Sequence, residues 1–305
     1  MTKFPFLLGI LLALCASLAS GATKAAEILD ATPRTAVMSA FPPEWTALRA
    51  KLGDRRDYQV EGTAFATGTI DAKPVVLFLS GISMVNAAMT TQLALDRFAV
   101  QRIVFSGIAG GVDPALSVGD VVVPAEWSEY LEAVFARKTA QGYVVPQMFD
   151  TAIPNYGMIF PQPVEIAREG GTTEKREWFP VAPDLLALAK RAAAATTLRD
   201  CTAERKCLGR QPRIVVGGRG VSGMAFVDNK AFRLYARRTF KAEVLDMESA
   251  AVAHVAYANK VPFIAFRSLS DLAGGGPGEN EIGTFFQLAA DNSAAVVEAF
   301  LKTLP

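Results

Sequence analysis

Two carboxylates, Glu248 and Asp271, are the residues of this chain whose types and spacing most favour chemistry. They lie in the segment from Val244 to Gly276, whose residue pattern predicts a strand, a helix, a second strand and a loop. Glu248 follows the first strand and Asp271 follows the second. Because ligands of open α/β sheets bind outside the carboxyl ends of the strands, we expect both acids to face one crevice. Two carboxylates in unlike surroundings can serve as a proton donor and an ionised hydrogen-bond acceptor.

A structural explanation of the same acids stands beside the chemical one. Acidic residues favour helix N-termini and turns, so Asp246 or Glu248 would only cap the helix and Asp271 would only begin a turn. We nevertheless expect carboxylates to carry most of the acid–base chemistry, because the chain contains a single histidine, His254. One histidine excludes a histidine-based zinc cluster and disfavours a Ser-His-Asp site. We interpret His254, which lies among alanines and valines, as a buried structural residue, and we predict no metal and no cofactor.

The amino-terminal segment and the charge balance indicate where the chain works and with which partners. Residues 1–22 contain Lys3, an apolar run from Phe4 to Leu18 and a final S-G-A, a pattern typical of a secretory signal peptide. We therefore predict cleavage of this segment and a periplasmic or secreted protein. The alternative, an uncleaved membrane anchor, is disfavoured because the run is short and contains Pro5. The 31 basic and 30 acidic residues form no basic tract, so no nucleic-acid partner is expected.

Cleavage of the signal peptide would leave two cysteines, Cys201 and Cys207, in the short polar segment D-C-T-A-E-R-K-C-L. In an oxidising compartment such a pair suggests a local disulfide, and the alternative is two free thiols. The sequence contains no second pair of cysteines that would complete a metal site.

The elements that must position the acids alternate along the chain between predicted strands and helices. This order is typical of one α/β domain with a mostly parallel or mixed central sheet, which we assign to residues 23–305. A loop from Gly107 to Ser117 is predicted between two strands, and the weakly patterned stretch from Glu126 to Pro180 is predicted to be a long surface insertion. The predicted strands are 34–40, 58–70, 73–80, 101–106, 118–124 and 213–220, and the predicted helices begin at Pro42, Met84, Pro183 and Phe285.

Four stretches of the chain match motifs of a known family, in the order in which that family has them. They are V-M-S-A-F-P-P-E-W, S-G-I-A-G-G-V-D-P-A-L-S-V-G-D-V-V-V, G-V-S-G-M-A-F-V-D-N and, last, L-D-M-E-S-A-A-V-A-H followed by V-P-F-I-A-F-R-S-L-S-D-L-A-G. With these motifs the chain resembles the nucleoside phosphorylase and nucleosidase superfamily, in particular the methylthioadenosine/S-adenosylhomocysteine nucleosidases. The last stretch and F-V-D-N are also similar to a secreted plant branch related to bark storage proteins. The resemblance implies a single-domain α/β/α sandwich with a mixed central sheet, and a homodimer or larger homo-oligomer.

The resemblance also implies roles for particular residues. Asp271 matches the general acid that protonates a purine leaving group, and Glu44 matches the base that activates water, although Pro42 and Pro43 replace the acidic residues that usually precede it. Cleavage of an N-glycosidic bond needs such a pair, because the base must leave neutral and the sugar gains oxocarbenium character. Further positions match residues that contact the ribose, line the base pocket or lie near the acid: Glu248, Met247, Phe226, Val227, Gly110 and Arg267.

Two positions depart from the pattern of the family members that use phosphate. Ile108 stands where phosphorylases of this superfamily have a serine, and Phe105 stands where the bacterial purine phosphorylases have an arginine. The loss of such donors weakens anion binding, at about 1.5–3 kcal/mol for each charge-assisted hydrogen bond. The sequence therefore predicts a purine nucleosidase that hydrolyses adenosine-type nucleosides. The alternatives are a phosphate-dependent phosphorylase and a non-catalytic purine-binding or storage protein.

Overall fold

The computed structural model describes residues 27–167, 171–276 and 278–305. The predicted signal peptide, residues 1–22, lies outside the described residues. In the described ranges, no helix combines the length and the apolar character that a bilayer span requires. This part of the chain forms a large mixed sheet with helices packed on it, which confirms the predicted α/β sandwich.

The centre of the sheet consists of four parallel strands. β1 (Asp30–Ser39) lies between β4 (Lys73–Leu79) and β5 (Phe98–Gly111), and β18 (Phe263–Asp271) pairs with β5. All nine residues of β18 are buried. Parallel strands covered on both faces are near-continuous apolar runs, which is why the segments that form β4 and β18 were recognisable as strands.

Two antiparallel strands extend this centre at one edge. β2 (Gly53–Val60) pairs with β3 (Thr63–Ile70), and β3 pairs with β4. The prediction of one strand over 58–70 is wrong, because the chain turns at Glu61 and Gly62, whose φ angles are 48° and 84°. Glycine adopts a positive φ without steric cost, so the dipeptide supports a tight turn between the two strands.

The glycine-rich stretch G-I-A-G-G continues β5. The prediction of a loop from Gly107 to Ser117 is therefore wrong for its first five residues, which lie in the strand and pair with β18 as far as Gly110. A Cβ on Gly110 would stand 3.3 Å from Asp271 Oδ1, so the missing side chain lets β5 lie close to the acid. After the strand, the chain returns as β6 (Val121–Val123), antiparallel to β18.

The predicted insertion is anchored at both ends in the central sheet. β7 (Glu126–Glu129) and β14 (Phe179–Pro180) pair with each other, and β7 also pairs with β16 (Arg219–Ser222). Only the middle of the region is therefore a surface excursion, and its described residues form three small two-stranded sheets. These are β8 (Ala133–Phe135) with β11 (Ile159–Pro161), β9 (Arg137–Thr139) with β10 (Gly142–Val144), and β12 (Val164–Ala167) with β13 (Thr173–Arg176).

The described residues form six helices that pack on the sheet. The helices are α1 (Pro42–Ala50), α2 (Met84–Arg97), α3 (Pro183–Ala194), α4 (Lys230–Phe240), α5 (Ser249–Ala258) and α6 (Ile282–Thr303), and the remaining strands are β15 (Ile214–Val216) and β17 (Ala242–Asp246). α1 and α3 pack against α6, whereas α2 packs against α5. Two prolines occupy the first turn of α1, where their missing N–H groups need no intrahelical partner. α4 was not predicted, and α6 begins three residues before the predicted start.

Candidate active site

The predicted acids meet where β17 and β18 both pair with the end of β5. Gly110 of β5 pairs with Leu245 of β17 and with Asp271 of β18. β18 runs parallel to β5, but β17 runs antiparallel to it, so the acids do not lie at the ends of parallel strands as the sequence argument assumed. Opposite strand directions bring the carboxyl ends of β17 and β18 to the same glycine, and this convergence forms the site.

A pocket of about 190 Å³ opens at this junction. Sequence reasoning missed several residues of its wall, including Phe41, Ile82, Asp246 and Ile282. Phe41 lies inside the first family motif, V-M-S-A-F-P-P-E-W, and that position was the available signal for it. The pocket contains six of the eight predicted catalytic and substrate-binding residues: Asp271, Glu248, Met247, Phe226, Val227 and Gly110. The other two, Glu44 and Arg267, are buried behind the wall, with 2% and 0% of their surface exposed.

Asp271, the last residue of β18, is buried with neutral hydrogen-bond donors. Its Oδ1 accepts the Ala273 N–H at 2.7 Å, and its Oδ2 accepts the Ser270 hydroxyl at 2.9 Å. Burial raises the pKa of the carboxyl, and these hydrogen bonds oppose the rise. The described wall of the pocket contains no lysine, arginine or histidine. The surroundings of Asp271 are therefore suited to a group that carries a proton and gives it up.

Glu248, at the N-terminus of α5, lies across the junction and contacts a cation. Its Oε1 accepts the Ser83 N–H at 2.8 Å, and its Oε2 lies 3.5 Å from Nη2 of Arg267. Burial raises the pKa of Glu248 to about 7, with Arg267 opposing the rise and the charges of Asp246 and Glu44 adding to it. Ser83 holds a φ of 82°, a strained conformation for a residue other than glycine. The carboxyl of Glu248 is thus held in place and changes charge near neutral pH.

Glu44, in the first turn of α1, is enclosed by backbone amides. Its Oε1 accepts the Ile108 N–H at 2.8 Å, and its Oε2 accepts the N–H groups of Ala40 at 2.7 Å and Phe41 at 3.4 Å. Burial raises the pKa of Glu44, whereas Arg267 and the three amides oppose the rise. Ala40, Phe41 and Ile108 line the pocket, so the carboxylate lies directly behind that part of the wall.

Arg267 was predicted to lie near the general acid, and the structure gives it different partners. Its Nε lies 2.7 Å from Asp246 Oδ2, its Nη2 3.5 Å from Glu248 Oε2, and its Nη1 3.9 Å from Glu44 Oε1. The side chain is fully buried. Arg267 therefore neutralises the carboxylates on the side of the junction opposite Asp271.

Two residues of β5, Gly107 and Phe105, lie next to this guanidinium. A Cβ on Gly107 would stand 2.1 Å from Nη1 of Arg267 and 2.8 Å from Oε1 of Glu44, so only glycine fits between them. The carbon of the guanidinium lies 4.0 Å from the ring centroid of Phe105, a cation–π geometry. The first glycine of G-I-A-G-G is therefore explained by a buried ion pair, whereas Gly110 lines the pocket.

Three other residues singled out in the sequence lie outside the pocket wall. The interpretation of His254 as buried is wrong: its side chain is 30% exposed on α5, with Nδ1 3.0 Å from Oε1 of Glu129. Its ring stacks on Phe179 at 4.9 Å, so one ring face is covered while the edge reaches a surface groove. Cys201 and Cys207 are joined by a disulfide in the structure.

The chain belongs to the phosphorylase superfamily, whose family model matches residues 34–302. It is 31% identical over 272 residues to the 5'-methylthioadenosine/S-adenosylhomocysteine nucleosidase of Anoxybacillus flavithermus, which covers 88% of this chain and 98% of that protein. It is 29% identical over 269 residues to the corresponding nucleosidase of Mycobacterium tuberculosis, with coverage of 88% and 96%.

Solved structures of related proteins have the same fold. The nucleosidase of Neisseria meningitidis in complex with methylthio-immucillin-A has a TM-score of 0.66 and 27% identity, and the match covers 89% of this chain and 99% of that one. The nucleosidase of Colwellia psychrerythraea in complex with adenine has a TM-score of 0.67 and 27% identity, with coverage of 89% and 95%. The similarity therefore extends over nearly the full length of both relatives.

Proposed function

We propose that this chain is a purine nucleosidase, an N-glycosyl hydrolase of adenosine-type nucleosides such as methylthioadenosine and S-adenosylhomocysteine. The observation that carries the proposal is the pairing, in one pocket, of a buried carboxyl without a facing cation, Asp271, and a carboxyl paired with a cation, Glu248. The relatives from Anoxybacillus flavithermus and Mycobacterium tuberculosis, which cover 88% of this chain, are named as nucleosidases of those two compounds.

Asp271 supplies the proton to the leaving base. A purine leaves readily only as a neutral molecule, so a proton must reach its ring nitrogen as the C–N bond breaks. Burial of Asp271 favours the protonated carboxyl from which that proton comes. Phe226 and Val227 line the pocket and provide apolar surface for the planar base.

Glu248 binds the sugar in its ionised form. A carboxylate accepts hydrogen bonds from neighbouring ribose hydroxyls, and the Ser83 N–H keeps it oriented toward the pocket. Met247 also lines the pocket and packs against the ribose in this arrangement. Because the pKa of Glu248 is raised to about 7, sugar binding weakens as the pH falls below neutrality.

Glu44 acts as the base that activates water. It takes one proton from a water molecule, whose oxygen bonds to the anomeric carbon of the ribose as the bond to the base breaks. The electron pair of that bond passes to the base, which receives its proton from Asp271. Burial raises the pKa of Glu44, which favours uptake of a proton, whereas three amide donors and Arg267 oppose the rise.

Water is favoured over phosphate as the nucleophile. The described wall offers no lysine or arginine side chain to an anion, and Ile108 contributes no side-chain donor. The nearby cation, Arg267, is buried among three carboxylates, Asp246, Glu248 and Glu44. The net negative charge of this cluster would repel a phosphate dianion, whereas it would not repel a neutral water molecule.

A homodimer or larger assembly is part of the proposal. Four apolar side chains are 49–59% exposed: Ile82 and Phe226 line the pocket, and Val85 and Met224 line a second surface groove. Contiguous exposed apolar surface of this kind is typical of a protein–protein contact, and a second copy would cover it. Sedimentation velocity at micromolar concentration tests this point, and a single species with the mass of one chain would contradict it.

Export to the periplasm or the medium is also proposed. The disulfide between Cys201 and Cys207 supports it, because disulfides persist in oxidising compartments. Cell fractionation followed by intact-mass analysis tests the assignment. We expect an exported protein that lacks residues 1–22, and a full-length cytosolic protein would contradict the proposal.

The activity is tested by base release from a panel of nucleosides, in buffer with and without phosphate. The panel contains adenosine, inosine, methylthioadenosine and S-adenosylhomocysteine. We expect adenine and the free sugar from the adenosine-type members at equal rates in both buffers. Cleavage that requires phosphate and yields a sugar 1-phosphate would identify a phosphorylase, and saturable binding without cleavage would identify a purine-binding protein.

A further inference from the structure

Three carboxylates surround a single cation, Arg267. Asp246, Glu248 and Glu44 approach the guanidinium at 2.7, 3.5 and 3.9 Å, and all four side chains are nearly or fully buried. With every group ionised, one positive charge faces three negative charges. Coulombic attraction falls with distance, so the nearest carboxylate, Asp246, benefits most from the guanidinium.

Asp246 is also held in place by hydrogen bonds. Its Oδ1 accepts the N–H groups of Glu248 at 3.2 Å and Ser249 at 3.1 Å, at the start of α5. The same oxygen accepts a short hydrogen bond from the Ser222 hydroxyl. Ser222 Oγ in turn accepts the Ala250 N–H at 2.8 Å, which orients the hydroxyl proton toward Asp246. Three donors on one carboxylate oxygen fix the orientation of Asp246.

The contact between Asp246 and Arg267 is ionic in character. The Nε–H of Arg267 donates to Ser249 Oγ at 2.9 Å, while Asp246 Oδ2 lies beside the same nitrogen at 2.7 Å. Nη2 of Arg267, the nitrogen that faces Glu248, is buried and makes no hydrogen bond within the described chain. The guanidinium therefore lies closer to Asp246 than to Glu248.

We propose that Asp246 is a positioning residue that engages Arg267, leaves Glu248 short of positive charge, and so sets the pH below which the pocket stops binding ribose hydroxyls. The inference rests on the proposed function for the identity of the ligand. The charge relation between Asp246 and Glu248 is a property of the protein itself, whatever the ligand.

The other titratable groups around Glu248 agree with this arrangement. Arg267 on β18 lowers the pKa of Glu248, whereas Asp246 on β17 and Glu44 on α1 raise it. Tyr130, the residue that follows β7, also faces the negative charge of Asp246, and burial together with that charge raises the pKa of its hydroxyl, so it stays neutral. On the other side of the junction, Asp271 has Asp228 as its charged neighbour. Among these groups, Arg267 provides the positive charge.

The decisive variant is Asp246→Asn, because asparagine caps a helix as well as aspartate does and lacks only the charge. The pH dependence of kcat/KM is measured with methylthioadenosine between pH 5 and 9. With the charge removed, Arg267 turns to Glu248, and we expect the midpoint of the acid limb to move lower by about one pH unit. Ser222→Ala is the matched control, since it removes a hydrogen bond to Asp246 and keeps the charge of Asp246. The midpoint of its acid limb should equal that of the wild type.

A second readout does not depend on turnover. The carboxyl of Glu248 is titrated by carbon-13 NMR, with the signal assigned by its loss in Glu248→Gln. We expect a wild-type midpoint near 7 and a lower midpoint in Asp246→Asn, or in Asp246→Ser if the asparagine variant does not fold. Equal midpoints in wild type and variant, or a wild-type midpoint at the ordinary value of 4.5, would overturn the inference and leave Asp246 as a helix cap. Absence of nucleoside cleavage with a shifted midpoint would refute the proposed function and leave this inference intact.

Discussion

The two sides of the junction at Gly110 contain the same functional group in opposite surroundings. On one side, Asp271 is buried with a hydroxyl and an amide as its hydrogen-bond donors and no facing cation. On the other, Glu248 and Glu44 lie within 4 Å of the guanidinium of Arg267. Burial raises the pKa of all three carboxyls, and Arg267 opposes the rise at Glu44 and Glu248 but not at Asp271. Because all three groups are carboxyls, the different roles proposed for them depend on where the cation is placed.

The largest effect is expected from a change on the side without a cation. Asp271→Asn keeps the size of the side chain and removes the proton donor, so kcat should fall about 1000-fold while nucleoside binding is retained. Single-turnover base release measures the first quantity and calorimetric titration the second. Ser270→Ala, which keeps the carboxyl and loses one hydrogen bond, is the control and should lose far less. Activity of Asp271→Asn within tenfold of the wild type would remove Asp271 from the role of general acid.

Removal of the cation Arg267 changes the other side of the junction, which contains Glu248 and Glu44. Arg267→Met leaves buried carboxylates unneutralised, and we expect a loss of about 3 kcal/mol in the free energy of unfolding. Urea denaturation at pH 7.5 measures the loss, and Arg267→Lys, which keeps the positive charge, should lose less. Equal stability of the methionine variant and the wild type would mean that the carboxylates do not depend on the guanidinium.

Glu44→Gln tests the base within the same cluster. The amide keeps the volume of the side chain and cannot take a proton from water, so hydrolysis should slow about 100-fold. The substrate Kd should change little, because Glu44 lies behind the wall that contacts the substrate. The measurement is kcat in phosphate-free buffer. If phosphate restores the wild-type rate of cleavage, the enzyme is a phosphorylase and Glu44 has only a structural role.

The smallest effect is expected in the pH dependence of stability, which tests the raised pKa of Glu248 on the side of the junction that contains the cation. The pKa of Glu248 is about 7 in the fold, above its ordinary value of 4.5, so its contribution to stability is complete below 4.5 and is lost as the pH rises through 7. Between pH 5 and 8 the free energy of unfolding of Glu248→Gln should therefore fall by about 2 kcal/mol less than that of the wild type. Glu165→Gln, at an exposed position of β12, is the control and should follow the wild type. Parallel curves for Glu248→Gln and the wild type would contradict the raised pKa.

Local features of the fold could be predicted from the sequence, whereas long-range features could not. The segment from Val244 to Gly276 was predicted as strand, helix, strand and loop, and β17, α5 and β18 confirm it, because apolar period and helix signals are local properties. The direction in which β17 pairs with β5 was not predictable in the same way. Pairing direction depends on residues far apart in the chain, and the sequence of β17 alone does not encode it.

The candidate site shows the same limit at the level of single residues. The motifs singled out Glu44 and Arg267, but no local pattern shows that both lie behind the pocket wall or that Asp246 is the nearest partner of Arg267. Gly107 was recognised as part of a glycine-rich stretch, and its function in making room for a guanidinium depends on β18 lying beside it. The roles assigned to these residues remain predictions that the variants above test.

The central claim, that this pocket hydrolyses an N-glycosidic bond with carboxyl groups, is tested most directly by the fate of the water oxygen. Protein that comprises residues 23–305 is incubated with methylthioadenosine in phosphate-free oxygen-18 water, and the products are analysed by mass spectrometry. We expect unlabelled adenine and a sugar that contains one oxygen-18 atom, formed by the wild type and suppressed in Glu44→Gln and Asp271→Asn. A wild-type protein that forms no labelled sugar, or forms it equally well without Asp271, would contradict this account.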